Sequence, residues 1–130
     1  MVIKQLLSTA FHYLGTPYVY NSQPHQSKSF DCSSFIQYIF YVNGVRLPRN
    51  SRQQFLIGKA IPFHKIQKGD LLFFTTSKRR NSIGINKIGH VGLYIGNNKM
   101  IHTYHDGKKV TISDLRLYWK SVFVGAKRIV

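Results

Sequence analysis

The side chain best suited to covalent chemistry is Cys32, the one cysteine in the chain. Asp31 stands where a helix N-cap belongs, ahead of a helix predicted over residues 33–42, so Cys32 falls in the first turn. Unpaired backbone N–H groups and the helix dipole favour a thiolate at that position. A lone cysteine is also commonly an inert core residue, so position alone leaves both interpretations open. A single cysteine excludes an internal disulfide and a multi-cysteine zinc site.

A nucleophilic cysteine needs a base, and two of the six histidines lie on adjacent predicted strands. Residues 90–95 and 100–104 favour strands, and Gly96-Asn97-Asn98 between them predicts a hairpin. A three-residue loop at 95–97 would place His90 directly opposite His102, whereas a two-residue turn at 97–98 would place them on opposite faces. The first alternative sets a base beside an orienting partner, as covalent catalysis requires. Surface or structural roles are expected for the other four histidines, which are His12, His25, His64 and His105.

The elements that must position these residues fall into two halves. Apolar residues at helical spacing predict a first helix that ends at Gly15-Thr16-Pro17, followed by a polar loop at 21–29 and helices at 33–42 and 52–57. The second half favours strands at 71–74, 90–95, 100–104, 109–112 and 122–130, with a long basic loop at 75–87. Helices followed by an antiparallel meander predict an α+β fold in a single domain over residues 1–130. A hydrophobic content of 43% is ample for its core.

The charge balance is strongly basic. Nineteen Lys and Arg residues oppose four acids, for a net charge of +15. The acids are Asp31, Asp70, Asp106 and Asp114. With so few carboxylates, catalysis by a pair of them, as in glycosidases, is not expected. A positive field of this size favours anionic partners, including nucleic acid, anionic lipid and the anionic polymers of a bacterial wall.

Targeting features are few. No apolar run reaches the roughly 18 residues that a membrane span needs. The first residues turn polar too quickly for a signal peptide, so export is expected by another route or from a longer precursor.

Several segments together resemble the NlpC family of bacterial cell-wall cysteine peptidases, a branch of the papain-like superfamily. The run Phe30-Asp31-Cys32-Ser33-Ser34-Phe35-Ile36 is similar to the family's nucleophile motif. The other segments follow in order and at familiar spacing: Gly15-Thr16-Pro17-Tyr18-Val19-Tyr20 upstream, then Leu47-Pro48-Arg49 with Gln53-Gln54, Gly69-Asp70-Leu71-Leu72-Phe73-Phe74, His90-Val91-Gly92-Leu93-Tyr94-Ile95-Gly96-Asn97 and Met100-Ile101-His102.

The resemblance implies a papain-like fold, with the nucleophile at a helix start packed on the antiparallel sheet, and a role for each site residue. Cys32 matches the nucleophile, His90 the general base and His102 the residue that orients it. Tyr18 matches a tyrosine whose hydroxyl helps the Cys32 backbone N–H to hold the oxyanion, and Asp31 and Ser33 are assigned with it to oxyanion or substrate contacts. A thiolate–imidazolium pair of Cys32 and His90 is expected.

The family's usual reaction is hydrolysis of an amide in peptidoglycan stem peptides, most often between γ-D-glutamate and a diamino acid. No metal or organic cofactor is implied. The expected location is secreted, periplasmic or in the cell wall. The sequence does not separate a housekeeping hydrolase from an antibacterial effector or a phage or plasmid enzyme. For an effector, an immunity or inhibitor protein that covers the cleft is the expected partner.

Three departures from the family pattern bear on the site. Ser34 replaces the commonest residue, glycine, a change we expect to be tolerated. Asn21-Ser22 replaces Gly-Gly in a loop that is slightly long, which makes Tyr20 an alternative to Tyr18. The loop at 75–87 is longer and more basic than usual, and we expect it to form one wall of the cleft.

Two other classes of function remain open on the sequence. A basic module that binds anionic wall polymers or nucleic acid would explain the charge, but it would not need Cys32, His90 and His102 together. Aromatic RNA-binding strands and paired Cys/His ligands are absent, so no specific nucleic acid is expected. An acyltransferase or deamidase would use the same groups. A metal site of His102, His105 and Asp106 is disfavoured, because residues three apart on a strand face opposite ways.

Overall fold

A computed structural model describes residues 3–104 and 108–130 of the chain. Within these residues, four α-helices pack on one six-stranded antiparallel sheet. The helices are α1 (Ile3–His12), α2 (Cys32–Tyr41), α3 (Ser51–Phe55) and α4 (Leu117–Ser121), with 3-10 turns at Phe63–Lys65 and Gly84–Lys87. The strands are β1 (Lys59–Ile61), β2 (Leu71–Phe74), β3 (His90–Gly96), β4 (Lys99–Tyr104), β5 (Lys109–Asp114) and β6 (Phe123–Arg128).

The α+β prediction is confirmed, and two elements were not foreseen. The strand order is β1-β6-β2-β3-β4-β5, so β2 to β5 form the predicted meander while β6 returns to lie between β1 and β2. Strand β1 and helix α4 have no counterpart among the predicted elements. Both are short, and a three-residue strand or five-residue helix gives too little periodicity to recognise.

The sheet is buried on both faces, which explains the continuous apolar run of β2. Leu71 and Phe73 point toward α1 and α2, whereas Leu72 and Phe74 point toward α4 and the 3-10 turn at Phe63–Lys65. All four side chains are fully buried. The first face carries the larger core, whose other buried members are Leu6, Ala10, Phe30, Phe35, Ile36, Ile39, Phe40, Leu47, Ile88, Val91, Leu93, Ile101 and Val110.

The β3–β4 hairpin has the second of the two alternatives, the two-residue turn. Asn97 and Asn98 both have positive φ, 52° and 59°, and form a two-residue turn with Gly96 paired to Lys99. That turn alone would put the two histidines on opposite faces. A bulge between Tyr94 and Gly96 shifts the register by one residue, and Tyr94 then pairs with Met100.

The bulge therefore returns the two histidines to one face of the sheet. The same register, continued along β3, places His102 across from Gly92 rather than across from His90. His90 and His102 are therefore diagonal neighbours, and the directly opposed pair that a three-residue loop would give does not form. Their shared face arises from the bulge, which neither alternative included.

Candidate active site

The start of α2 holds Cys32 by a complete capping box. The Asp31 carboxylate accepts from the Ser34 N–H at 2.9 Å, and the Ser34 hydroxyl contacts the Asp31 N–H at 3.0 Å. Ser34, at the position where the resemblance expected glycine, therefore closes the box. The cap fixes the helix to begin at Cys32, so the nucleophile candidate lies in the first turn as predicted.

Arg49 stabilises the start of α2 through contacts with Asp31 and Ser33. Its guanidinium pairs with the Asp31 carboxylate at 2.7 Å and donates to the Ser33 hydroxyl at 2.9 Å and the Ser22 carbonyl at 2.7 Å. Asp31 and Ser33 are both buried. Their side chains thus flank Cys32 while engaged in the cap and with Arg49, and their role toward oxyanion or substrate stays a prediction.

The Cys32 thiol is half-buried, and its electrostatics differ from the sequence expectation. Burial, followed by the neighbouring charge of Asp31, raises the pKa of the thiol to about 11. Backbone hydrogen bonds from Val91 and Ser33 and the charge of Arg49 act in the opposite direction but are outweighed. The resting thiol is therefore protonated near neutral pH, so the local field does not by itself produce the expected thiolate.

The two histidines form a buried hydrogen-bonded pair. His90 Nε2 lies 2.7 Å from His102 Nδ1, and His102 Nε2 lies 2.8 Å from the Ser113 hydroxyl. His90 is 5% exposed and His102 is fully buried. Burial lowers the pKa of His102 to about 3, so this ring is neutral near neutral pH. A neutral ring carries one N–H, which can point to His90 or to Ser113.

Trp119, Ser113 and Gly92 support this pair, and sequence reasoning missed all three. Trp119 stacks on His90 at 5.3 Å between ring centroids and meets His102 edge-on at 5.0 Å. A Cβ on Gly92 would lie 2.7 Å from Met100 Sδ and 3.2 Å from His102 Cβ, so only glycine leaves room for the imidazole. Ser113 lies on β5 among alternating polar residues, and no motif marks it.

The histidine pair and Cys32 both lie at the start of β3. Val91, whose backbone hydrogen-bonds to the Cys32 sulfur, directly follows His90 along this strand. His90 Nε2 contacts His102, so a proton passed from the thiol to the His90 ring would go to Nδ1. The Cys32 sulfur is thus one residue along β3 from the His90–His102 pair.

Tyr18 lies beside this site. It bridges to Phe30, two residues before Cys32, and it is half-buried, whereas Tyr20 is 83% exposed. Burial, then the charges of Cys32 and Asp31, raises the pKa of Tyr18 to about 12, so its hydroxyl stays a proton donor. The charge of Tyr20 adds to the same shift in the pKa of Tyr18.

The remaining histidines lie elsewhere. His12 and His64 are exposed, and His25 packs against Tyr41 at 4.3 Å between ring centroids. His105 and Asp106 lie outside the described residues. Within residues 3–104 and 108–130, no group of three His, Cys, Asp or Glu could hold a metal ion. No helix in those ranges is long and apolar enough to cross a membrane.

Comparisons with known proteins agree with the fold and the motifs. The model of the NlpC/P60 family matches residues 15–128, and the chain belongs to this family. A γ-D-glutamyl-L-lysine dipeptidyl-peptidase of Bacillus subtilis is 37% identical over 112 residues, covering 86% of this chain and 36% of that protein. The murein DD-endopeptidase MepH of Escherichia coli is 29% identical over 130 residues, covering 97% of this chain and 45% of that protein.

Solved structures show the same architecture. An NlpC/P60 family protein from Bacillus cereus superimposes with a TM-score of 0.87 at 31% identity, over 99% of this chain and 40% of that protein. The chain thus spans less than half the length of each of these three relatives.

Proposed function

We propose that the chain is a cysteine peptidase that hydrolyses amide bonds of peptidoglycan stem peptides. The carrying observation is the His90–His102 pair, joined at 2.7 Å, on the strand whose Val91 backbone hydrogen-bonds to the Cys32 sulfur. The relatives' names supply the substrate class, since one is a γ-D-glutamyl-L-lysine dipeptidyl-peptidase and another a murein endopeptidase. Within the stem peptide, the bond that we propose is cleaved is the one between γ-D-glutamate and the diamino acid.

The proton arrangement follows from what a base must do. His90 Nδ1 must accept the thiol proton, so its Nε2 carries a hydrogen that it donates to His102 Nδ1. The single N–H of His102 then sits on Nε2 and is donated to the Ser113 hydroxyl. His102 thereby fixes the tautomer and the ring plane of His90, and it stabilises the imidazolium that forms.

The raised pKa of Cys32 favours proton transfer during attack over a preformed ion pair. His90 takes the proton as the sulfur bonds to the scissile carbonyl carbon. The oxyanion is held by the Cys32 backbone N–H and the Tyr18 hydroxyl. His90 then protonates the leaving amine as the C–N bond breaks, leaving a thioester. Water, deprotonated by His90, releases the acid and restores the thiol.

Alanine variants of the two histidines test these roles on a γ-D-glutamyl–diaminopimelate peptide. His90→Ala should reduce kcat/KM by about a thousandfold or more, because the base is lost. His102→Ala should cost less, roughly 10- to 100-fold, because an orienting group is more replaceable than a base. His64→Ala, at an exposed site, is the matched control. A larger loss for His102→Ala than for His90→Ala would mean that the roles are exchanged.

The net charge of +15 supports one further part of the proposal, the place where the protein acts. We place the protein outside the cytoplasm, in the periplasm or cell wall, where anionic wall polymers would attract it. If it is a delivered effector, an immunity or inhibitor protein would cover the cleft. Binding of Cys32→Ala protein to intact sacculi should weaken steeply with added salt. Binding that does not depend on salt would contradict attraction by anionic wall polymers.

A further inference from the structure

Two arginines converge on the segment that leads into His90. Arg52, in α3, donates from Nη1 to the Ile88 carbonyl at 3.1 Å. Arg79, in the basic loop, donates from Nη1 to the Asn86 carbonyl at 3.2 Å. The Arg79 side chain also lies against Gly89, where a Cβ would come within 3.2 Å of Arg79 Cδ. Both guanidinium groups are thus hydrogen-bonded to the backbone of residues 86–88, just before His90.

Neither arginine is neutralised by the described residues. The ion pairs of the described arginines join Arg49 to Asp31, Arg116 to Asp114 and Arg128 to Asp70, and none joins Arg52 or Arg79 to a described carboxylate. Both side chains are half-buried. Burial, then the charge of Arg79, lowers the pKa of Arg52, so the two cations repel each other. Each guanidinium has five N–H donors, and its hydrogen bond to the backbone carbonyl uses one of them.

Arg52 also lies on the nucleophile's side of this segment. Gln54 of the same helix donates to the Ser33 carbonyl at 3.0 Å, which packs α3 against the turn that holds Cys32. The charges of Cys32 and Tyr20 both act on Arg52, in the direction that favours the cation. A group bound by this arginine would therefore lie close to the scissile carbonyl.

We propose that Arg52 and Arg79 form a subsite for a free carboxylate of the stem peptide beside the scissile amide; this deepens the proposed function and rests on it. Arginine pairs bind carboxylates through parallel N–H···O bonds, and an anion here would relieve their mutual repulsion. Two substrate carboxylates have this chemistry: the α-carboxylate of γ-linked D-glutamate and the side-chain carboxylate of diaminopimelate. The subsite makes the enzyme discriminate against peptides amidated at the carboxylate that it binds.

Three synthetic tripeptides distinguish the sources: L-Ala-γ-D-Glu-diaminopimelate with its C-terminal main-chain carboxyl blocked as an amide (the free peptide), and the same peptide amidated in addition at either the D-Glu α-carboxyl or the diaminopimelate side-chain carboxyl. The wild-type protein should cleave the free peptide with a kcat/KM about 10- to 100-fold above that of one amide. Arg52→Gln and Arg79→Gln should reduce kcat/KM on the free peptide and abolish this preference, whereas Arg52→Lys should keep part of it. Arg46→Gln, at an exposed arginine outside the cluster, is the control.

Two results would overturn the subsite. One is an unchanged preference in Arg52→Gln and Arg79→Gln, and the other is an equal loss on all three peptides in variants whose thermal unfolding matches the wild type. If no peptide is cleaved, the proposed function fails first. Calorimetric binding of the same peptides to Cys32→Ala and to Cys32→Ala/Arg52→Gln then decides the subsite. A weaker affinity of the double variant for the free peptide and for the amide that keeps the bound carboxylate, with no change for the other amide, supports the subsite, and equal affinities reject it.

Discussion

At the scale of single residues, opposing effects act on Cys32. The helix start and the backbone hydrogen bonds from Val91 and Ser33 stabilise a thiolate, but burial and Asp31 raise the pKa to about 11. The place of Cys32, the proposed nucleophile, in the first turn of α2 could be predicted from residues 30–36. The direction of its pKa could not, because burial depends on strand β3 crossing the helix start from far along the chain.

Alkylation of Cys32 should therefore become faster with pH well above neutrality. A raised pKa means that the thiolate fraction, and with it the iodoacetamide rate, should rise about tenfold per pH unit until close to pH 11. Mass spectrometry of the modified protein measures the rate, and the chain's single thiol makes the signal unambiguous. A rate that already levels off near pH 6 or 7 would mean that Cys32 and His90 rest as an ion pair.

At the scale of elements, the β3–β4 hairpin decides whether the histidines meet. The two-residue turn at Asn97-Asn98 would place the two histidines on opposite faces of the sheet. The bulge before Gly96 shifts the register by one residue and returns them to the same face. Both strands and their turn residues could be predicted from alternation and from asparagines that tolerate positive φ. The bulge could not, and neither could Ser113, because cross-strand register and contacts with β5 are set by tertiary packing.

Gly92→Ala tests whether this hairpin geometry is needed for the histidine pair. The added methyl would lie 2.7 Å from Met100 Sδ and 3.2 Å from His102 Cβ, so His102 should be displaced from His90. We expect kcat/KM to fall about tenfold or more, with a loss of about 1–3 kcal/mol in the free energy of unfolding.

Combining Gly92→Ala with Met100→Val removes the sulfur contact and should restore part of the activity. Chemical denaturation and peptide hydrolysis of both variants provide the measurements. Full activity in the single variant would show that the site tolerates a shifted His102.

At the scale of the whole molecule, the α+β fold buries His102, a neutral group of the candidate site, within a strongly basic protein. The order of helices and strands and the motif positions could be predicted because each has a local signature. Strand β1, helix α4 with Trp119, and the return of β6 between β1 and β2 could not, because short elements depend on contacts with distant segments. The candidate active site therefore combines predictable motif residues with supporting residues that only the folded chain reveals.

The central claim is that Cys32 cleaves peptidoglycan stem peptides. The most direct test is digestion of purified peptidoglycan by the wild-type protein and by Cys32→Ala, with the fragments identified by mass spectrometry. We predict new termini between γ-D-glutamate and the diamino acid with the wild type and none with the variant, at unchanged thermal stability. Equal cleavage by Cys32→Ala, or no cleavage of several wall types by a wild-type protein whose thiol reacts readily, would contradict it.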